Sequence, residues 1–302
     1  MLNRRQLLSL AIAGTAVFPA YRYLNNHEMI EPPELTGKIL VDLHAHPSKN
    51  NSERDIASLL SSGVTGLAAR HRGKYILTYE DALNLPGVKE IDKGLFASLT
   101  KNRSTGYFAK VQEVDSDHHI LAIGCRKTLP DYPDARQTID EIHKQGGFAI
   151  LPHPHLIFPY PVLYPVVVRE HQEEYIKELC GMVDEVELFN AKAVEVVPWL
   201  VDLRISNERT KKLIGLLRQQ GQTHTGIAAS DAVHNLSQVR KSGIYVPKEG
   251  LCIDQSLTLN ICLHIYGIMK SALECQLCGA EGDGSDNYCS ECGETLKKSD
   301  KK

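Results

Sequence analysis

The stretch GKILVDLHAHPS, residues 37–48, ends a short apolar run with two histidines that are one residue apart. Such a run, continuous and rich in branched aliphatic residues, is typical of a buried β-strand. Alternate side chains of a strand lie on the same face, so His44 and His46 are predicted to point together beyond the strand end. The pair is typical of the first two ligands of a metal site, although histidines at this spacing also occur as ordinary packed residues.

Strands and helices are predicted to alternate along the rest of the chain. The predicted strands are residues 64–70, 106–114, 118–125, 147–153, 183–190 and 223–230. The predicted helices are residues 54–62, 89–99, 138–146, 173–181 and 208–221. This alternation indicates an α/β fold with a parallel sheet, and the number of units predicts a closed or nearly closed barrel.

The N-terminal segment MLNRRQLLSLAIAGTAVFPA carries the one targeting signal that we find. Arg4 and Arg5 precede an apolar stretch that is broken at Pro19 and is too short for a comfortable membrane span. The segment resembles a twin-arginine export signal. Because no clean A-x-A cleavage site precedes Tyr21, an uncleaved membrane tether and a simple N-terminal helix stay open. We expect an exported or membrane-tethered protein, with a cytoplasmic location as the alternative.

Four of the eight cysteines form two CxxC pairs near the C-terminus, in CQLCG and CSECG. These are Cys275, Cys278, Cys289 and Cys292. Two such pairs offer four thiolates to one tetrahedral ion, so they predict a small zinc ribbon with one structural zinc. Two disulfides in an exported tail are the alternative. Such a ribbon contacts nucleic acid or protein in some proteins, and in others it only caps the fold.

Composition and these motifs define the expected domains. The chain has 302 residues, is 42% hydrophobic and suits one large domain with a small appendage. The predicted parts are a signal or tether with linker at 1–36, a barrel at 37–254, a helix at 255–273, and the zinc ribbon with its lysine-rich tail at 274–302. The net charge of −3 neither implies nor excludes a nucleic-acid partner.

Residues with metal-ligand chemistry recur at the ends of the predicted strands. Beyond the first pair they are His71, Glu113, His153, Glu187, Asn190, Asp231 and His234, while His119 opens a strand instead. In a parallel barrel the carboxyl ends of the strands converge on one mouth. Imidazole and carboxylate together suit zinc, manganese or iron, and more than four ligands indicate more than one ion.

The order of these motifs resembles the PHP superfamily of polymerase and histidinol phosphatase-like metal hydrolases. The motifs are DLHAH, AARH, QEV followed by HHILAIG, LPHPH, and SDAVHN followed by GIYV, spread over residues 38–246. The resemblance implies a distorted (β/α)7 barrel with two or three divalent ions, zinc, manganese or iron. The ligands that it implies are His44, His46, His71, Glu113, His119, His153, Asp231 and His234.

Three departures from the PHP pattern bear on the site. The segment after the first pair lacks the usual ligand aspartate and offers only Asn51 or Glu53. An additional residue, Val233, places Asp231 and His234 three positions apart instead of two. In AARHRGK three cations lie near the mouth, where they could bind a phosphate or form a solvated basic loop. These cations are Arg70, Arg72 and Lys74.

The expected function is hydrolysis of a phosphoester by a metal-activated water. The substrate would be a small phosphomonoester, a nucleotide or a nucleic-acid end. Glu113 would bridge the ions, Arg70 and Arg72 would bind phosphate, and His155 is a candidate acid or a structural partner. A non-catalytic metal-binding module on the same barrel and a hydrolase of a non-phosphate bond are the alternatives.

Overall fold

The computed structural model describes residues 36–71, 73–157, 166–167, 172–191, 204–222, 224, 226–234 and 236–247. The predicted export signal, the last helix, the cysteines of the predicted zinc ribbon and Arg72 lie outside these residues. Among the helices that the structure does describe, none combines the length and the apolar character that a membrane span requires.

The described part of the chain forms a mixed α/β fold. Its strands are β1 (Lys38–Pro47), β2 (Val64–Ala69), β3 (Val88–Asp92), β4 (Phe96–Lys101), β5 (Ser104–Val114), β6 (Ile120–Ile123), β7 (Phe148–Leu151), β8 (Leu156–Ile157), β9 (Val166–Val167), β10 (Glu185–Asn190), β11 (Ile227–Ala229), β12 (Ala232–His234) and β13 (Ile244–Pro247). Its helices are α1 (Glu53–Leu60), α2 (Tyr79–Ala82), α3 (Ala135–Lys144), α4 (Glu173–Met182) and α5 (Arg204–Gln219), and a 3₁₀ turn spans Leu236–Gln238.

Eight strands form a nearly closed, barrel-shaped sheet in the order β11, β10, β7, β6, β5, β2, β1, β12. The two ends of this path, β11 and β12, are consecutive in the chain and are joined by Ser230 and Asp231. The predicted α/β class and the nearly closed barrel are therefore confirmed. Seven of the eight strands run in one direction, and only β6 is antiparallel to its neighbours.

The reversed direction of β6 explains the position of His119. Only residues 115–119 connect β5 to β6, and the register pairs Val114 with Ile120. So short a connection joins antiparallel strands, because a parallel crossover needs a dozen or more residues. The amino end of β6 therefore lies at the same end of the barrel as the carboxyl ends of the other strands. His119 reaches the mouth although it opens its strand.

One predicted helix is wrong. Residues 89–99 form most of the hairpin β3–β4, and β4 pairs in turn with the first half of β5. The turn contains Gly94 at φ +77°, a left-handed conformation that glycine adopts at no steric cost. Phe96 and Leu99 are buried, and the ring of Phe96 stacks on Tyr107 of β5. Pairing of β4 with both β3 and β5, together with burial of its apolar side chains, overrides the local helical pattern.

The helices cover the outside of the barrel with amphipathic faces. Helix α1 begins at Ser52, whose side chain accepts a hydrogen bond from the Asp55 amide, and it buries Ile56 and Leu60. Helices α3, α4 and α5 share one apolar cluster with the outer faces of β6, β7 and β10. Each fully buried aliphatic side chain there stabilises the fold by about 1.5–3 kcal/mol. This packing holds the strand ends that carry the candidate ligands.

Candidate metal centre

Strand β1 presents His44 and His46 to the same point. Their Nε2 atoms are 3.1 Å apart, and both side chains are buried. His46 Nδ1 lies 2.5 Å from the carbonyl oxygen of Ala68, and His44 Nδ1 lies 3.4 Å from Glu187 Oε1. With the Nδ1 protons directed at these oxygens, the two Nε2 lone pairs face each other. That arrangement is unfavourable unless a cation or a proton lies between them.

Glu113, near the end of β5, lies at the middle of the cluster. Its Oε1 is 2.6 Å from His119 Nδ1 and 3.5 Å from His153 Nε2, and its Oε2 is 3.0 Å from His46 Nε2. Burial would raise the pKa of Glu113, but the guanidinium of Arg70 and the His119 imidazole together hold it well below its usual range. Glu113 is therefore an ionised carboxylate in a buried place, which requires nearby positive charge.

His153 and Asp231 enter the cluster from strained turns. His153 follows β7 at φ +32°, and Asp231 joins β11 to β12 at φ +46°. The left-handed region is unfavourable for most residues other than glycine, and aspartate and histidine are among those that visit it more often. Hydrogen bonds hold both turns: the His153 amide donates to Glu187 Oε2 at 2.7 Å, and the Asp231 amide donates to the His44 carbonyl at 2.8 Å.

Two overlapping groups of side chains offer ligand atoms within 4.8 Å of one another. One group is His44, His46 and Asp231, and the other is His44, Glu113 and His153. All five residues are buried, and their nitrogen and oxygen donors suit zinc, manganese or iron. The residues present therefore fit a divalent metal ion, and the predicted metal-binding chemistry of the barrel mouth is supported by geometry.

The raised pKa values of two of the histidines, His44 and His153, agree with a cation site. Burial lowers the pKa of His44, but the carboxylates of Asp231 and Glu187 outweigh burial and hold it well above its ordinary value. The pKa of His153 is raised as well, because Glu113 and Asp231 outweigh burial there. Burial lowers the pKa of His46. Positive charge is thus favoured at this point, and a metal ion would replace protons, since a ligand imidazole must be neutral.

Glu187 and Asn190, both in β10, support the cluster from outside. Glu187 Oε2 accepts a hydrogen bond from Asn190 Nδ2 at 3.1 Å, and the same Nδ2 lies 3.2 Å from Asp231 Oδ2. Glu187 also faces His44, so one buried carboxylate fixes an imidazole ring and a ligand-bearing turn together. Carboxylates that orient ligand histidines in this way tune metal affinity.

Asp42 fixes the same ligands from the other side. This buried carboxylate accepts hydrogen bonds from the Ser230 hydroxyl at 2.5 Å, the Ser230 amide at 3.1 Å, the His44 amide at 3.2 Å and the Arg240 amide at 2.9 Å. Burial raises the pKa of Asp42, while these hydrogen bonds favour its ionised form. The β1 strand end and the β11–β12 turn are thereby joined where the barrel closes.

The structure brings six of the predicted ligands together at the mouth. They are His44, His46, Glu113, His119, His153 and Asp231. His71 lies in an exposed turn after β2 and belongs to neither group of ligand atoms. Its neighbour Arg70 reaches Glu113 instead, with Nε 3.3 Å from Oε2. His234 lies in β12, where its backbone pairs with Pro47 of β1. The side chain of His234 lies outside what the structure describes.

His155 lies two positions beyond His153 but faces the helices. Its Nδ1 is 2.8 Å from Thr210 Oγ1 on α5, and its Nε2 is 3.9 Å from Glu173 Oε1 on α4. Burial, with a smaller contribution from Arg209, lowers the pKa of His155 to about 4. The imidazole is therefore neutral near pH 7 and packs as a structural partner of α4 and α5. Its role as an acid stays a prediction.

Comparison with known proteins adds no assignment to this geometry. Neither a scan against protein-family models nor a search of curated proteins returned a match for the chain. Because one barrel fold supports many chemistries, the function has to be argued from the residues of the site.

Proposed function

We propose that the protein is a metal-dependent hydrolase that cleaves phosphoesters, in line with its resemblance to the PHP superfamily. The observation that carries the proposal is the buried convergence of His44, His46, Glu113, His153 and Asp231 at the barrel mouth. Three imidazoles and two carboxylates from β1, β5, the segment after β7 and the β11–β12 turn meet there. A purely structural barrel would have apolar side chains at these positions, since buried titratable groups destabilise a fold unless they are paired.

Each residue of the cluster has a proposed role in holding the ions. His44, His46 and Asp231 would hold one ion, and Glu113 with His153 would hold a second next to it. When bound, such ions activate water as a nucleophile and neutralise charge on the phosphoryl oxygens. Glu113, ionised and central, contributes the carboxylate of the second group, and its Oε2 also lies 3.0 Å from His46 Nε2 of the first group. Glu187 and Asp42 keep the ligands in place before substrate arrives.

Arg70 is the residue best placed to bind an anionic substrate. Its side chain is 28% exposed, and its guanidinium is fixed by Asp115, whose Oδ1 accepts a hydrogen bond from Nη2 at 2.6 Å. A guanidinium has five donors and stays charged, so donors remain for phosphoryl oxygens after these contacts. This favours a phosphoester over a neutral amide or lactone. A small phosphomonoester, a nucleotide and a nucleic-acid end all present such oxygens.

The proposal extends to the parts of the chain outside the described residues. We propose that Arg72 adds a second cation to the mouth and that the four C-terminal cysteines hold one structural zinc, with nucleic acid or protein as the possible partner of that ribbon. We also propose that the N-terminal segment exports or tethers the protein. A reporter fused after residue 24, with and without Arg4 and Arg5 replaced by lysine, tests the last point by its location.

The test of function uses the purified full-length protein. Metal content is measured first, and turnover is then measured with p-nitrophenyl phosphate and a panel of nucleotides and oligonucleotide ends, with manganese or zinc. We expect His44→Ala to abolish turnover. His143→Ala is the matched control, because that histidine lies on the surface beside Asp184. Bound metal without hydrolysis of any phosphoester would indicate a non-catalytic module, and hydrolysis of amides or lactones alone would indicate a different class of hydrolase.

A further inference from the structure

The guanidinium of Arg70 is surrounded by three atoms that are themselves potential metal ligands. Its Nη2 lies 2.6 Å from Asp115 Oδ1 and 3.3 Å from His119 Nε2, and its Nε lies 3.3 Å from Glu113 Oε2. Two carboxylates and one imidazole therefore contact this guanidinium, and they are the same types of donor as those in the two groups of the metal centre. The positive charge among these ligand atoms is therefore the guanidinium of Arg70, a side chain of the protein itself.

We infer that Arg70 occupies a cation position of the centre that would otherwise bind a further metal ion, so that the barrel of this protein holds at most two ions. This inference rests on the proposed metal centre. A lone pair that faces a guanidinium N–H cannot bind an ion at the same time. While Arg70 is in place, Asp115 Oδ1 and His119 Nε2 are therefore unavailable as ligands.

The orientation of His119 supports this assignment. His119 Nε2 lies 3.3 Å from Arg70 Nη2 and accepts from it, because a guanidinium can only donate. His119 Nδ1 lies 2.6 Å from Glu113 Oε1, although these two atoms are not aligned for a hydrogen bond. His119 therefore contacts both Arg70 and Glu113 in the wild-type protein.

Glu113 shows that the position suits a cation whose bonding is less directional than that of a guanidinium. Its Oε2 is buried and accepts no well-aligned hydrogen bond from the described residues, although Arg70 Nε is only 3.3 Å away. A metal ion has no such alignment requirement for a carboxylate lone pair. The guanidinium remains charged at any pH that the protein tolerates, so only a change of sequence can vacate the position.

The test counts ions in full-length variants. Wild type, Arg70→Met, and Arg70→Met combined with Asp115→Asn are equilibrated with excess manganese, separated from free metal and analysed for metal per chain. Methionine keeps much of the length and packing of the arginine stem. We expect Arg70→Met to bind one ion more per chain than wild type, and the double variant to lose that additional ion. A structural zinc at the C-terminal cysteines cancels in these differences.

A matched control removes another cation from the neighbouring strand. Lys110→Met deletes a charge that pairs with Glu80, away from the cluster, and should leave the ion count unchanged. The inference is overturned if folded Arg70→Met, checked by circular dichroism, binds no additional ion, or if wild type already holds three ions in addition to the cysteine-bound zinc. If Arg70→Met folds only in the presence of manganese, the ions are counted on that protein: one ion more than wild type supports the inference, and a count equal to wild type or failure to fold in manganese overturns it.

The ion count is independent of turnover. If no phosphoester is hydrolysed and Arg70→Met still gains an ion, the proposed activity fails and the inference about Arg70 stands. If wild type hydrolyses phosphoesters and the variant gains no ion, only the inference about Arg70 fails.

Discussion

At the scale of single residues, the candidate ligands depend on buried partners that hold them in one orientation. Glu187 is the clearest case, since its two oxygens face the ring of His44, the amide of His153 and the side chain of Asn190. A carboxylate that receives the Nδ1 proton of a ligand histidine makes the opposite nitrogen a better donor to a metal.

We expect Glu187→Gln to weaken metal binding by roughly 10–100-fold while the fold is retained, because glutamine keeps the shape but loses the charge that faces His44. Titration calorimetry with manganese measures the affinity. Glu185→Gln is the matched control, since Glu185 is equally buried in the same strand and contacts the Gly226 amide instead of the cluster. Equal losses in the two variants would mean that Glu187 contributes only to packing.

His155 should make stability depend on pH. Its folded pKa is about 4 and its ordinary value is 6.5, so the unfolded chain binds more protons between these values. The stability contributed by neutral His155 is therefore present above pH 6.5 and is lost as pH falls towards 4. At pH 5 the loss is about 2 kcal/mol relative to a variant that does not titrate.

Urea unfolding of wild type and His155→Gln at pH 7.5 and pH 5 measures this difference. Comparison with the variant removes the effect of the other histidines, which titrate in both proteins. Identical pH dependence in the two proteins would contradict the burial that lowers the pKa of His155.

At the scale of elements, the site depends on how closely β1 and β2 pair. Gly66 of β2 lies against the backbone of Leu43, the residue before the first histidine of the pair, and a Cβ at Gly66 would be 2.4 Å from the Leu43 carbonyl oxygen. Backbone atoms cannot yield as a flexible side chain does. The absence of a side chain at Gly66 thus sets the position of His44 and His46.

We expect Gly66→Ala to destabilise the protein by about 1–3 kcal/mol, the usual effect of overpacking, and to weaken metal binding by displacing the end of β1. Gly215→Ala is the matched control, because nothing lies within 4 Å of a Cβ at that helical position. The control should be neutral or more stable by about 0.5–1 kcal/mol. Denaturant unfolding measures both, and equal stability of the two variants would contradict the close approach.

At the scale of the whole molecule, the cluster joins strands that are far apart in sequence. Ligand atoms come from β1, β5, the segment after β7 and the β11–β12 turn, so an ion would connect β1 with the turn that joins the two ends of the sheet path. An ion that binds the folded state but not the unfolded chain stabilises the fold by mass action.

Metal removal should therefore lower the melting temperature of the whole barrel in one transition. At a free-ion concentration about 100 times the Kd, the stabilisation is about 2.7 kcal/mol. Melting in EDTA and in manganese measures it. His46→Ala, which removes a ligand from one of the two groups, should respond less to manganese than wild type does. A wild-type melting temperature that is the same in both conditions would count against a metal centre in the barrel.

The sequence by itself determined the α/β class, the nearly closed barrel and most of the ligand-type residues. These follow from patterns of short range: alternating strands and helices, the spacing of His44 and His46, and polar residues at strand ends. A charged residue inside an apolar run indicates a site, because a charged group that is buried with the run requires a partner. Asp42 carried the same signal within ILVDL and could have been found by it.

Only the tertiary structure decided which of the residues next to each strand end enters the cluster. It directs Arg70 instead of His71 towards Glu113, sends His155 to the helices, reverses β6 so that His119 reaches the mouth, and makes a hairpin of residues 89–99. The directions of Arg70 and His155 depend on contacts between residues distant in the chain, and the β3–β4 hairpin and the reversal of β6 depend on how neighbouring strands pair. Propensity and spacing describe the backbone locally, whereas the direction of a strand or a side chain is set by whatever packs against it.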